Sequence, residues 1–194
     1  MRKINKKYEN PIDNILIDIA DHCCPCYNAA NLTPNDLTTI SLLLAITSAF
    51  LFNNGCGILA GIFWFVAYYF DCADGYYARK YKLTSDFGDM YDHISDLVKV
   101  AVILWLFYCN DNSESKGKFW KIVGVLGILM ILLCVHMGCQ ERIYNNVEHG
   151  GFLGMARGLC VGMPEDSILT TRYFGCGTFM TVVSLIIVFY WRIS

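Results

Sequence analysis

Charged residues are scarce in this chain, and their scarcity limits the class of protein. Asp, Glu, Lys and Arg together make up 16% of the 194 residues, whereas hydrophobic residues make up 55%. A soluble domain has about 25% charged residues and fewer apolar ones. Several apolar runs approach the roughly 20 residues that a helix needs to cross a bilayer. The composition therefore excludes an ordinary soluble domain and predicts an all-α, polytopic membrane protein.

Other features are missing as well, and each absence excludes a class. The formal net charge of −2 lacks the basic excess of nucleic-acid-binding domains, so we expect no nucleic-acid partner. The ten cysteines have no regular spacing that would indicate an extracellular disulfide framework. Cys23 and Cys26 form a CxxC pair, but no second pair completes the ligand set of a zinc site. The basic residues 1–10 lead into no long apolar segment, so we expect no cleavable signal peptide.

The apolar pattern predicts a surface helix followed by six transmembrane helices. Residues 11–20 place apolar side chains at helical spacing with two aspartates off that stripe, which is typical of an amphipathic helix at the membrane interface. Thr33 and Pro34 then form a helix start, with Thr33 as the N-cap. The predicted spans cover residues 37–52, 56–77, 87–109, 119–139, a fifth short span or re-entrant segment within 147–172, and 173–191.

We expect one integral membrane domain over residues 1–194, with a cytosolic tail and surface helix in 1–32 and the transmembrane bundle in 33–194. The basic N-terminus belongs on the cytosolic side by the positive-inside rule. Counting spans returns residues 78–91 to the cytosol, in agreement with the three basic residues there. The loop of residues 110–118 falls outside and carries two lysines, which fits the rule less well. The expected location is the endoplasmic reticulum or an equivalent membrane.

Four aspartates lie where the second predicted span ends and the third begins. Asp71 and Asp74 belong to the second span, and Asp92 and Asp96 to the third. An ionised Asp at the centre of a spanning helix costs about 2.5 to 3.5 kcal/mol, so cations or water must compensate. Residues three, four or seven apart share a helix face, and a short connection makes two helices antiparallel neighbours. The two acidic faces are therefore expected to meet at the cytosolic mouth of the membrane.

The chemistry of this cluster indicates a divalent metal site. Hard carboxylate oxygens suit Mg²⁺, Mn²⁺ or Ca²⁺ rather than zinc or copper. Two such ions would neutralise much of the clustered charge and could hold a diphosphate. Small residues at Gly75, Ala78 and Gly88 would let a phosphate-bearing ligand approach the backbone. Arg79 could add a charged fork to phosphate.

The spacing is more specific than the acids alone. The pattern Asp71-x2-Asp74-Gly75-x2-Ala78-Arg79-x8-Gly88-x3-Asp92-x3-Asp96 resembles the signature of the CDP-alcohol phosphotransferase family at every fixed position. Eight defined positions over 26 residues make a chance match very rare. Thr33-Pro34-Asn35, just before the first span, also resembles the start of the first helix in that family.

The resemblance implies six transmembrane helices, usually in a homodimer, with the active site open to the cytosol. It implies that an alcohol hydroxyl attacks the β-phosphorus of a CDP-linked donor and that CMP leaves, with Mg²⁺ or Mn²⁺, two ions in all, as cofactor. The partners would be that donor, a lipid or alcohol acceptor and membrane lipids. By resemblance, the metal pair is assigned to Asp71, Asp74, Asp92 and Asp96. By resemblance, the CDP pocket is assigned to Gly75, Ala78, Arg79 and Gly88. Asp96 would bridge the ions or act as general base on the acceptor hydroxyl.

Two branches of the family remain open. Asp92-His93-x2-Asp96 resembles the DHxxD of eukaryotic choline and ethanolamine phosphotransferases, and residues 162–165 resemble a Pro-Glu loop of that branch, which we therefore expect. Those enzymes are usually longer than this chain. The alternative is a phosphatidyltransferase that uses CDP-diacylglycerol, with inositol, glycerophosphate or serine as acceptor, because such synthases are often near this length.

A cation transporter is an alternative from another class, since intramembrane acids also mark ion pathways. A diphosphate site gains from Arg79, whereas a cation path does not.

We expect an ion pair between Lys99 and Asp96, three residues earlier on the same helix. His93 lies one residue off the acidic face, so we expect it to make a capping or supporting hydrogen bond. The remaining acids of this stretch, at 86 and 89, are expected to be ordinary surface carboxylates.

Overall fold

The structure is a computed structural model that describes residues 2, 4–111, 117–144, 157–160 and 162–192. These ranges contain helices and no strand, which confirms the all-α prediction. The α-helices, numbered here in chain order, are α1 (Pro11–Ala29), α2 (Pro34–Asn53), α3 (Gly57–Tyr81), α4 (Asp86–Cys109), α5 (Gly117–Tyr144), α6 (Pro164–Thr171) and α7 (Cys176–Phe189). Single 3₁₀ turns occupy Arg157–Leu159, Arg172–Phe174 and Tyr190–Arg192.

The start of α2 and the turn between α3 and α4 follow local sequence signals. Thr33 Oγ1 accepts from the Asp36 amide at 3.2 Å, and the Asp36 carboxylate accepts from the Thr33 amide at 2.7 Å. This reciprocal capping box satisfies two of the otherwise unpaired amides at the helix start. Lys82 ends α3 in the left-handed region, with φ of 58°, and Ser85 caps α4 by accepting from the Gly88 amide at 3.1 Å. The two helices that carry the aspartates are therefore joined by a short turn.

The helix α3 lies at the centre of the bundle and packs against α1, α2 and α7. Small residues on α2 allow a close approach, and two of them donate to carbonyl groups of α3. Ser41 Oγ donates to the Ala67 carbonyl at 2.8 Å, and Ser48 Oγ donates to the Ala60 carbonyl at 2.7 Å. Helix contacts through small and hydroxyl residues are typical of membrane bundles.

The arrangement of α4 differs from the expectation. The sequence predicted α3 and α4 as direct antiparallel neighbours, but the close backbone contacts of α4 are with α2. Far from the aspartates, the ring of Phe107 stacks on that of Tyr190, and Phe52 packs edge-on against both. Tyr190 Oη also donates to the Phe107 carbonyl at 3.1 Å. The helix α2 thus holds α4 in place, and the aspartates face one another across the gap between α3 and α4.

The count of six spans is not confirmed. Among the described residues, four stretches are long and apolar enough to cross a membrane, and they are Pro34–Asn53, Gly57–Tyr81, Gly117–Ile143 and Pro164–Arg192. The helix α4 has 24 residues, but its first half carries the acids of the candidate site. The predicted fifth span, within 147–172, lies partly outside the described residues, which leave out 147–156 and 161. Its described part includes α6, which has only 8 residues and is too short to cross a bilayer by itself.

The surface helix is longer than predicted. The sequence indicated a helix over residues 11–20, but α1 continues through the CxxC pair to Ala29, with Pro25 inside it. It is fastened to α3 by Asp21, which accepts from Tyr76 Oη at 2.9 Å and pairs with the Lys80 ammonium at 2.6 Å. Two isoleucines on its outer face, Ile15 and Ile19, are exposed, as expected of a helix at a membrane interface.

One disulfide was not anticipated from the cysteine spacing. Cys139, near the end of α5, is bonded to Cys160, just before α6. Both cysteines are buried in an apolar cluster with Ile168. The bond ties the segment before α6 to α5, and the Arg142 guanidinium adds a hydrogen bond to the Cys160 carbonyl at 2.6 Å.

Candidate active site

Three of the four predicted metal ligands converge in the gap between α3 and α4. Asp71 comes from α3, and Asp92 and Asp96 come from successive turns of α4. One carboxylate oxygen of each lies within 4.8 Å of the other two. We call these residues the acidic trio. Their spacing suits a single divalent cation, because Mg²⁺, Mn²⁺ and Ca²⁺ prefer several carboxylate oxygens around one centre.

One atom of the acidic trio supports this fit directly. Asp92 Oδ1 is buried and has no hydrogen-bond partner among the residues that the structure describes. A buried carboxylate oxygen without a partner is costly. A bound cation would satisfy it, so the side chains present fit a divalent metal ion.

Asp74 takes a different position from the one that its spacing indicated. It lies one turn after Asp71 on α3 but is not part of the acidic trio. Its side chain is buried, and its Oδ2 accepts a hydrogen bond of 2.5 Å from Thr38 Oγ1 on α2. The four aspartates therefore divide into three that meet and one that α2 holds.

The Lys99 side chain lies next to the acidic trio and contacts two of its members, Asp71 and Asp96. Its ammonium group donates to Asp71 Oδ1, lies 2.8 Å from Asp96 Oδ1 and donates to Ser41 Oγ at 3.3 Å. The side chain is only 6% exposed. The predicted pair with Asp96 is confirmed, while the contacts with Asp71 and Ser41 were not foreseen.

A cavity of about 330 Å³ opens beside the acidic trio, at the start of α2, the end of α3 and the start of α4. Its size is within the range of about 300 to 1,000 Å³ that is usual for small-molecule sites. It is lined by Pro34, Asn35, Thr38, Asp74, Gly75, Ala78, Arg79, Leu83, Thr84, Ser85, Asp86, Gly88, Asp89 and Asp92. The list contains all four residues that the resemblance assigned to a CDP pocket. It also contains Asp86 and Asp89, which were expected to be ordinary surface carboxylates.

The two glycines of the cavity make room for polar side chains. A Cβ atom on Gly75 would lie 3.2 Å from Arg79 Nη1, and one on Gly88 would lie 3.1 Å from both Asn35 Oδ1 and Ser85 Oγ. These distances are tighter than ordinary van der Waals contacts. Gly75 thus lets the Arg79 guanidinium lie along α3 beside the cavity, and Gly88 lets α4 approach the start of α2.

His93 is exposed and lies outside the acidic trio. Its Nδ1 lies 2.8 Å from the Asp89 carbonyl, one turn earlier on α4. This hydrogen bond is the supporting contact that the sequence suggested.

Sequence reasoning missed the contribution of α2. Thr38 and Ser41 are almost completely buried, and their hydroxyl groups reach Asp74 and Lys99. A signal was present, because these hydroxyl residues lie three apart on one face of an otherwise apolar helix. Buried hydroxyl groups need partners, but the spacing by itself does not say which partners they find.

Two further buried carboxylates belong to the N-terminal region. Asp13 on α1 accepts from Tyr68 Oη at 2.5 Å and from the Gly177 amide at 3.2 Å. Burial raises its pKa above the usual value, and the hydrogen bonds from Tyr68 and Gly177 oppose that rise. Burial, together with the nearby charge of Asp13, also raises the pKa of Glu9. Asp13 thus docks α1 on α3 and α7, and both carboxylates lie outside the acidic trio.

Comparison with known proteins identifies the family. The model of the CDP-alcohol phosphatidyltransferase family matches residues 31–192, and the chain belongs to that family. The CDP-diacylglycerol–glycerol-3-phosphate 3-phosphatidyltransferase of Rickettsia felis is 37% identical over 85 residues, which cover 42% of this chain and 47% of that protein. The archaetidylinositol phosphate synthase of Pyrococcus horikoshii is 31% identical over 124 residues, which cover 64% of this chain and 62% of that protein.

The chain spans less than two thirds of the length of these relatives. No solved structure matches it. Membership of the family agrees with the resemblance that the aspartate spacing indicated, and it makes a cation transporter unnecessary as an explanation of the intramembrane acids.

Proposed function

We propose that the protein is a phosphatidyltransferase that moves the phosphatidyl group of a CDP-diacylglycerol-type donor to an alcohol acceptor and releases CMP. The observation that carries this proposal is the acidic trio beside a cavity lined by Gly75, Ala78, Arg79 and Gly88. The names of the two relatives described above help to choose between the two branches of the family. One name refers to CDP-diacylglycerol with glycerol-3-phosphate, and the other to an inositol phosphate product. They favour this alternative over the choline and ethanolamine branch that the DHxxD wording suggested.

The cavity is the proposed nucleotide site, and the acidic trio is the proposed metal site beside it. Asp92 belongs to both, so a diphosphate in the cavity would extend toward the trio. Arg79 supplies a guanidinium group, which binds phosphate oxygens in a bidentate manner. Asp74 lines the same cavity and would contribute an oxygen ligand on that side.

We propose Mg²⁺ or Mn²⁺ as the resident cofactor, with two ions in the substrate complex. Such a pair steadies both the attacking and the leaving oxygen in a phosphoryl transfer. The ligands from this chain would be Asp71, Asp92 and Asp96 on one side and Asp74 with Asp92 on the other.

Asp96 is the proposed general base. A base must reach the hydroxyl proton that it removes, so it needs access to the acceptor. The Asp96 side chain is 46% exposed, whereas that of Asp71 is 17% exposed. Of Asp71 and Asp96, Asp96 is therefore the one that an acceptor entering from solvent can approach.

With this function we also propose the extent of the domain, its orientation and location in the cell, and its oligomeric state. Residues 1–194 would form one membrane domain whose active site faces the cytosol, in the endoplasmic reticulum or an equivalent membrane. The basic residues 79, 80 and 82 support that orientation under the positive-inside rule. A homodimer is proposed from the family resemblance.

The test is CMP release by the purified protein in detergent micelles. We expect CMP from CDP-diacylglycerol with glycerol-3-phosphate or an inositol phosphate as acceptor, only when Mg²⁺ or Mn²⁺ is present. Asp96→Asn should abolish the release, whereas His93→Gln, which changes an exposed residue one turn from Asp96, should retain it. CMP release from CDP-choline with diacylglycerol, but not from CDP-diacylglycerol, would contradict the proposed branch. Undiminished release by Asp96→Asn would contradict the role of Asp96.

A further inference from the structure

The role that we infer for Lys99 rests on the proposed metal site. Its ammonium is buried at 6% exposure and contacts Asp71, Asp96 and Ser41 together. A buried lysine without acidic partners would be strongly unfavourable, and two close carboxylates without a cation would repel each other. Each group therefore compensates the other.

The formal charges of the acidic trio and Lys99 show how the lysine changes the site. Three carboxylates and one ammonium leave a formal charge of −2, which one divalent ion neutralises. Without Lys99 the same carboxylates would carry −3, and no ammonium group would remain in contact with Asp71 and Asp96 when the metal leaves. Lys99 reaches from α4 to Asp71 on α3, and Ser41 on α2 holds it there.

We propose that Lys99 is a built-in counter-ion that keeps the acidic trio assembled without metal and weakens its affinity for divalent cations. As a result, the fold would not depend on bound metal, and the site would exchange ions readily. Lys99 is thus a positioning residue, which acts on Asp71 and Asp96 rather than on the substrate.

The test compares thermal unfolding of the wild type and Lys99→Met in micelles, in EDTA and in saturating Mg²⁺. We expect the variant to be destabilised in EDTA and largely restored by Mg²⁺, whereas the wild type changes much less between the two conditions. Lys99→Gln, which keeps a hydrogen-bonding group for Ser41 but no charge, should behave like Lys99→Met. Lys80→Met is the matched control, because Lys80 also forms an ion pair, with Asp21 at 2.6 Å, but lies away from the trio. Its stability should not become dependent on Mg²⁺.

A second measurement is Mn²⁺ binding followed by electron paramagnetic resonance, which needs no activity. Lys99→Met should bind Mn²⁺ at least about tenfold more tightly than the wild type, since a nearby positive charge has been removed. Equal or weaker binding, equal stability of variant and wild type in EDTA, or failure of both Lys99 variants to fold in saturating Mg²⁺ would overturn the proposal. If the wild type binds no Mn²⁺ at all, the metal site of the proposed function fails, while unfolding in EDTA still tests the counter-ion role.

Discussion

The hydrogen bond from Thr38 to Asp74 joins α2 to the candidate site on α3. Its removal tests how much this contact contributes to stability. Thr38→Val keeps the shape of the side chain but removes the hydroxyl that donates to Asp74 Oδ2 at 2.5 Å. Thr38 is 2% exposed and Asp74 is 4% exposed, so the substitution removes the donor of a largely buried hydrogen bond. A hydrogen bond to a charged group contributes about 1.5 to 3 kcal/mol. We therefore expect the free energy of unfolding to fall by about 2 kcal/mol.

The assay is reversible unfolding in mixed detergent micelles, followed by tryptophan fluorescence, with CMP release measured on the same samples. Thr38→Ser keeps the hydroxyl and should retain most of the stability. Thr47→Val is the matched control on α2, because Thr47 Oγ1 donates only to its own helix, to the Leu43 carbonyl at 2.8 Å. It should change stability by no more than about 0.5 kcal/mol. Equal effects of Thr38→Val and Thr47→Val would refute the reasoning.

Two other predictions concern packing and pH. A Cβ atom on Gly61 would lie 2.3 Å from a side-chain carbon of α7, whereas one on Gly124 would meet nothing within 4 Å. Gly61→Ala should thus cost about 1 to 3 kcal/mol in the same unfolding assay, and a cost equal to that of Gly124→Ala would contradict the packing. Burial raises the pKa of Asp13 above its ordinary 3.8, so the folded state holds this proton more tightly than the unfolded chain. Stability should then decrease as the pH rises from 3.8 through the raised pKa. Asp13→Asn should flatten this part of the melting profile, and an unchanged profile would count against the buried carboxylate.

Much of the fold could be predicted from the sequence because the signals for its helices and turns are local. The cap at Thr33, the apolar runs and the turn after α3 depend on neighbouring residues, and the structure places helices close to the predicted bounds. Gly57 and Gly61 lie close against α7, as small residues at helix contacts do. The extension of α1 through the CxxC segment to Ala29 was not predicted, and the extended helix packs on α3.

The candidate site was partly predictable for the same reason. Residues three or four apart share a helix face in any α-helix, so the pairing of Asp92 with Asp96 needs no tertiary information. Which face meets which neighbour depends on packing over the whole helix. The helix α4 packs on α2, through Gly88 at one end and the rings of Phe52 and Phe107 at the other, rather than directly on α3. This arrangement leaves the gap in which the acidic trio meets.

The sequence by itself determined that this is a helical membrane protein with a CDP-alcohol phosphatidyltransferase signature, because composition and fixed spacing are properties of the chain alone. Only the tertiary structure separated Asp74 from the acidic trio, placed Lys99 between Asp71 and Asp96, and joined Cys139 to Cys160. These contacts connect different helices or residues far apart in the chain. They depend on how the helices rotate and approach one another, which spacing along one helix does not specify.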